Sequence, residues 1–94
     1  MQRIEHEFDG NKGSFFLEIE GKRLATMDYV MAGADLLIIE HTEVDNSLRG
    51  QGIGKKLLEK MVDYSRAKGV KVRPLCSFAV AVLSRKPEWQ DILF

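Results

Sequence analysis

Apolar and polar positions alternate along residues 3–8, with Ile4, His6 and Phe8 on one side and Arg3, Glu5 and Glu7 on the other, which predicts a half-buried strand. Asp9-Gly10-Asn11-Lys12-Gly13 turns the chain into a second strand over residues 14–20. Glu20-Gly21-Lys22 is short enough for a hairpin into a third strand over residues 23–31, so the three form a meander. After the turn Ala32-Gly33-Ala34-Asp35, the run Leu36-Leu37-Ile38-Ile39 opens a fourth strand that continues to Val44. Its unbroken apolar start predicts burial on both faces.

The character changes after Val44. Asp45-Asn46-Ser47-Leu48 is a polar turn, Arg49-Gly50-Gln51-Gly52-Ile53-Gly54 is a glycine cluster, and a helix follows at once. Ile53, Leu57, Leu58, Met61, Val62 and Ser65 recur at the spacing of one helix face, with Lys55, Lys56, Glu59, Lys60 and Asp63 on the other. Gly69 is placed to stop the helix. Val70-Lys71-Val72-Arg73 is a short fifth strand ended by Pro74, and residues 77–85 form a last helix closed before Pro87. A strand, a helix and a further strand in succession imply a parallel pair between the fourth and fifth strands. Trp89 and Phe94 are expected to anchor the tail on the core, and His6 is expected to be structural.

Composition narrows the field. With 94 residues the chain is expected to be one domain over residues 1–94, and 45% hydrophobic with 30% charged residues is the balance of a globular protein. Fourteen basic against fourteen acidic residues leave no net field for a nucleic acid or an anionic membrane, so neither is an expected partner. The longest apolar runs fall far short of the roughly 20 residues of a membrane helix. The start, Met1 to His6, has no apolar run and predicts no secretory signal. The single cysteine, Cys76, cannot form an intrachain disulfide, which fits a reducing compartment, the cytoplasm. One cysteine and two separated histidines do not supply a metal set.

The glycine cluster carries the chemistry. Gly50 and Gly54-Lys55-Lys56 leave three residues between the glycines and lack the hydroxyl that a nucleoside-triphosphate loop needs for magnesium. Gly52 and Gly54 are too close for a dinucleotide fingerprint, and the next strand ends in Arg73-Pro74 rather than an acid. What remains is a strand, a loop almost without side-chain bulk and a helix N-terminus. Its unpaired amides and dipole favour an anion of pyrophosphate size, with Arg49 and Lys55 adding charge. The bland reading is a tight strand-to-helix turn, which would make the chain a purely structural interaction domain.

In that setting, Arg49-Gly50-Gln51-Gly52-Ile53-Gly54 resembles the acyl-CoA pyrophosphate loop of the GNAT acetyltransferase superfamily. Ile39-Glu40-His41-Thr42-Glu43-Val44, Pro74-Leu75-Cys76-Ser77-Phe78 and Lys86-Pro87-Glu88-Trp89 extend the resemblance to its small, single-domain YjdJ-like branch. The resemblance implies an α/β fold: a mixed, mostly antiparallel sheet with a splayed parallel pair and two helices. It implies acetyl-CoA or CoA as ligand and an amine or protein acceptor. The pantetheine arm would lie against backbone groups of Glu43 and Val44, and the pyrophosphate against Arg49, Gly50, Gln51, Gly52, Ile53, Gly54 and Lys55. Larger relatives carry acceptor-shaping helices between the first two strands, where this chain has only a turn. Many also follow the fifth strand with Asn, two residues, Ala, three residues and a Tyr that protonates the leaving thiolate. Over Cys76, Ala79 and Leu83 only the alanine is kept.

Cys76 falls where the resemblance puts the thioester, and as a thiolate favoured by a helix starting at Ser77 or Phe78 it could accept the acetyl group, or as a thiol replace the tyrosine. His41 is a candidate base, able to take the Cys76 proton if it faces the same side. Against these stand a cysteine that only packs and a hydrogen-bonded strand histidine. Glu40 and Glu43 could act as bases through water, although carboxylates near a strand end are more often solvated. The expected function is acetyl-CoA binding with acetyl transfer to an amine; the alternative is a non-catalytic acyl-CoA-binding or sensing module.

Overall fold

The computed structural model describes residues 3–94. Met1 and Gln2, part of the start expected to carry no secretory signal, lie outside the described residues. Strands β1 (Ile4–Phe8), β2 (Lys12–Ile19), β3 (Lys22–Ala32) and β4 (Leu36–Val44) form an antiparallel meander. Helix α1 (Ile53–Lys68) then crosses over to β5 (Lys71–Pro74), which pairs parallel to β4, so the spatial order equals the sequence order. Helix α2 (Ser77–Leu83) and a 3-10 segment (Pro87–Ile92) complete the chain. The mixed sheet, the parallel pair and both helices match the expected architecture. Among the described residues no helix is long and apolar enough to cross a membrane.

Opposed residues of a ladder point to one side, so the register sorts the two faces. Phe15 and Leu17 of β2, Ala25, Met27 and Tyr29 of β3, Leu37 and Ile39 of β4 and Val72 of β5 share one face and are buried. The apolar stripe of α1, from Ile53 through Leu57, Leu58, Met61 and Val62, covers them, and Ala79 and Leu83 of α2 join the same core. Ser65, at the end of that stripe, is fully buried and donates its hydroxyl to the Val70 carbonyl (2.5 Å), while Gly69 ends α1 in the left-handed conformation, as its position predicts.

No described helix covers the other face. Leu36 and Ile38 are only half-buried there, so the expectation that β4 is buried on both sides fails: an apolar run can fill one face completely and the other in part. Polar groups occupy much of this face, with Asp28 accepting from Ser14 Oγ (2.6 Å) and Thr26 Oγ1 (2.9 Å). The Arg23 guanidinium lies 3.7 Å from the Phe16 ring centroid and shields it from water.

Two more expectations need correction. Gly13 belongs to β2 rather than to the turn, because the Tyr29 ring lies across it: a Cβ there would come within 2.4 Å of the ring. The turn is tightened by Asp9, whose carboxylate accepts from the amides of Asn11 (2.9 Å) and Lys12 (2.8 Å). At the other end Trp89 is buried as expected, but the Phe94 ring is exposed. The tail is held by Ile92 in the core, the bridge of Leu93 to Val72, and the Phe94 amide donating to the Val72 carbonyl (3.0 Å).

His6 plays the structural part expected of it. Its ring stacks on Phe15 at 4.2 Å between centroids, and Nε2 lies 2.6 Å from the Tyr29 hydroxyl. Burial holds the imidazole below its ordinary value and pushes the Tyr29 phenol up.

Candidate functional site

β4 and β5 pair from Leu36 with Lys71 to Ile39 with Pro74, and the Leu75 amide still reaches the Ile39 carbonyl (2.9 Å). There the strands part. On the β3 side, Ile39 opposes Tyr29 and His41 opposes Asp28, which leaves Glu40 as an extra, bulged residue. The next polar link across the gap joins Thr42 Oγ1 to Cys76 Sγ at 3.2 Å.

Backbone alternation decides which groups face the gap. The Asp45 amide donates to the Leu24 carbonyl (2.7 Å), so Asp45 is directed to β3, and alternate residues before it follow. Glu43 therefore spends its backbone groups on Thr26, whereas Thr42 and Val44 turn theirs towards the opening. Side chains follow the register as well. Thr42 and Val44 point to the helix-covered face with Met27 and Ala25, while His41 and Glu43 point to the uncovered face, 3.7 Å apart.

The opening is a cavity of about 430 Å³. Thr42 and Val44 form the β4 wall, Phe78 and Val82 of α2 form another, and Leu48, Arg49, Gly50, Gly52, Ile53, Gly54 and Lys55 supply the floor and rim. Sequence reasoning missed Thr42, Leu48, Phe78 and Val82. The signals for them were present: Thr42 lies two residues before Val44 on one strand face, and Phe78 and Val82 are spaced for one face of a helix.

The loop glycines have different reasons to be glycine. Gly50 (φ 79°) and Gly52 (φ 68°), the latter capping α1, are left-handed, and a Cβ at either would meet nothing within 4 Å. Gly54 is ordinary helix, but a Cβ there would lie 2.6 Å from Phe78 Cζ. It allows the Phe78 ring of α2 to lie against α1. The first intrahelical bond runs from the Lys56 amide to the Gly52 carbonyl (3.1 Å), and the N-cap, being a glycine, has no side chain with which to cap the helix. The amides of Ile53, Gly54 and Lys55 thus have no intrahelical acceptor. Gln51 and Glu43, by contrast, do not line the cavity.

Cys76 and His41 are not brought together. Cys76 is half-buried beside the gap and is the N-cap of α2, its sulfur accepting from the Ala79 amide (3.4 Å). His41 is exposed on the opposite face of β4, so the proton transfer between them that required a shared side has no geometry here.

The comparisons agree with this architecture. Residues 14–92 match the profile of the GCN5-related N-acetyl-transferase family. A GCN5-like protein of Staphylococcus aureus, solved by NMR, superposes with a TM-score of 0.74 at 33% identity, covering 100% of this chain and 91% of that one. The ribosomal-protein-S18-alanine N-acetyltransferase of Escherichia coli superposes with a TM-score of 0.64 at 26% identity, covering 80% of this chain and 50% of that one. Protein NATD1 of Mus musculus is 27% identical over 86 residues, which is 90% of this chain and 76% of that protein. With a profile match over most of its length and a sheet that opens between β4 and β5 above a glycine loop, the chain belongs to the GCN5-related N-acetyltransferase family.

Proposed function

We propose that the chain, acting as one minimal domain, binds acetyl-CoA in the gap between β4 and β5 and transfers the acetyl group to an amine. The observation that carries the reading is the cavity itself: an apolar slot between Val44, Phe78 and Val82 that ends at uncapped helix amides and left-handed glycines. The pantetheine arm fits the slot, with Thr42 and Val44 offering backbone partners, and the pyrophosphate fits the loop from Arg49 to Lys55. Calorimetric titration with acetyl-CoA tests this. Gly52→Val introduces a branched side chain at a left-handed residue facing open space, and a folded variant that binds acetyl-CoA undiminished refutes the loop assignment. Affinity should also fall with added salt, because Arg49 and Lys55 supply part of the attraction.

For the transfer step, Cys76 has two compatible roles. As a thiolate it attacks the thioester carbonyl carbon, the C–S bond to CoA breaks, CoA leaves as thiolate, and the acetyl-cysteine is then opened by the amine, which loses a proton. As a thiol it instead gives its proton to the departing CoA while the amine attacks directly. His41, on the uncovered face, serves the acceptor amine as base rather than Cys76. Mass spectrometry of protein incubated with acetyl-CoA and quenched in acid separates the roles: one acetyl on wild type and none at that site in Cys76→Ser marks the relay. Full transfer by Cys76→Ala excludes both roles. The lone cysteine also supports a reducing, cytoplasmic setting.

A second reading, a non-catalytic acyl-CoA-binding or sensing module, has an observation of its own. Where many relatives place a tyrosine acid this chain has Leu83, which is 1% exposed in the core and carries no proton to give. Tight acetyl-CoA binding with no release of free CoA in the presence of amines favours that reading.

A further inference from the structure

Phe78 and Val82, four residues apart on α2, line the cavity. Beyond them the backbone tightens into 3-10 bonds, with the Arg85 amide donating to the Val82 carbonyl (3.1 Å) and the Lys86 amide to the Leu83 carbonyl (3.2 Å). This turn brings Lys86 beside Lys55, which borders the same cavity from the first turn of α1. The Lys86 ammonium stands 5.5 Å from the centroid of the buried Trp89 ring, so the side chain rests on a fixed surface.

Two ammonium groups on separate elements thus meet at the rim of the slot. Among the described residues neither is in an ion pair. Lys55 is the main cause that holds the Lys86 amine below the ordinary lysine value, desolvation adds to it, and Glu88 and Glu59 pull the other way with less effect. An anion placed between the two lysines removes that repulsion and gains two charge-assisted hydrogen bonds.

A CoA molecule has one phosphoryl group left once its pyrophosphate lies on the loop amides: the ribose 3′-phosphate. As a monoester it carries close to two negative charges at neutral pH. We propose that Lys55 and Lys86 together bind the 3′-phosphate of CoA and make the site selective for CoA over ligands that lack that phosphate. This rests on the reading that CoA binds in the gap, and it assigns a residue, Lys86, that lies well beyond the glycine loop in sequence.

The test is calorimetry of the full chain with CoA and with 3′-dephospho-CoA, for wild type, Lys86→Gln and Lys55→Gln, with circular dichroism to confirm folding. Wild type is expected to bind CoA about tenfold more tightly than 3′-dephospho-CoA, the scale of two partly solvated charge contacts. Lys86→Gln, which leaves one of the two contacts, should cut that preference to about threefold while binding 3′-dephospho-CoA as wild type does. Equal affinity of wild type for the two ligands overturns the assignment and leaves the CoA reading standing. A preference that keeps its wild-type size in either variant also overturns it, because that lysine then takes no part in holding the phosphate. Failure of wild type to bind either ligand overturns the CoA reading and this inference with it.

Discussion

Replacing Gly54 by alanine sets two known effects against each other at the contact that joins the two helices. Alanine is favoured over glycine within a helix by up to about 1 kcal/mol. Against this, the new Cβ would lie 2.6 Å from Phe78 Cζ and 3.2 Å from both ε carbons, so the ring must leave. Phe78 is 37% exposed and can swing outward, which limits the loss to the buried part of one phenyl group, about 1.5–2 kcal/mol. Gly54→Ala is therefore expected to destabilise the wild type by about 0.5–1 kcal/mol. In a Phe78→Ala background the obstacle is gone, and the same substitution should stabilise by up to about 1 kcal/mol. Urea denaturation of the four proteins, with the slopes unchanged, gives the coupling as the difference between the two backgrounds, about 1.5–2 kcal/mol. A coupling below about 0.5 kcal/mol would refute the claim that Gly54 is glycine because of Phe78.

Gly13→Ala should be more severe, costing about 3 kcal/mol or more by urea denaturation, because Tyr29 is fully buried and cannot turn away as Phe78 can. His6 has a folded-state pKa below its ordinary value, chiefly through burial, so the unfolded chain takes up the proton first. Its contribution is present above pH 6.5 and is lost as pH falls through the folded value; the urea midpoint of wild type should therefore drop more between pH 7 and pH 5 than that of His6→Gln. Trp89→Ala should cost about 3–4 kcal/mol in the same assay, whereas Phe94→Ala should change stability by less than about 0.5 kcal/mol, and the reverse order would contradict the placement of the tail.

Most of the fold was legible because its signals are local. Alternation in residues 3–8, the stripe from Ile53 to Ser65 and the stops at Gly69 and Pro87 each act within a few positions, and each predicted element exists. What escaped depends on partners distant in sequence. Gly13 looks like a turn residue until Tyr29 is laid across it, and Phe94 looks like an anchor until Ile92 and the Leu93 bridge take that place. The candidate site divides the same way. The glycine loop is contiguous and was recognisable, but Phe78 and Val82 enter the cavity only through the packing of α2 against Gly54. The side on which His41 falls depends on the bulge at Glu40, which alternation alone does not reveal.

That bulge makes β4 a strand of two phases. Counting from Leu37, the odd-numbered positions face the helices up to Ile39, and after Glu40 the even-numbered ones do. One residue thus sets the parity for the rest of the strand. Flattening the bulge while keeping Glu40 in the ladder would exchange the roles of Thr42 and Val44 with those of His41 and Glu43, putting an imidazole and a carboxylate into the apolar slot and a threonine and a valine into solvent, whereas deleting Glu40 would leave all four on their present sides. The same parity governs any alignment of this segment: a gap placed anywhere in β4 other than beside Glu40 equates cavity-lining residues with solvent-facing ones over the positions between.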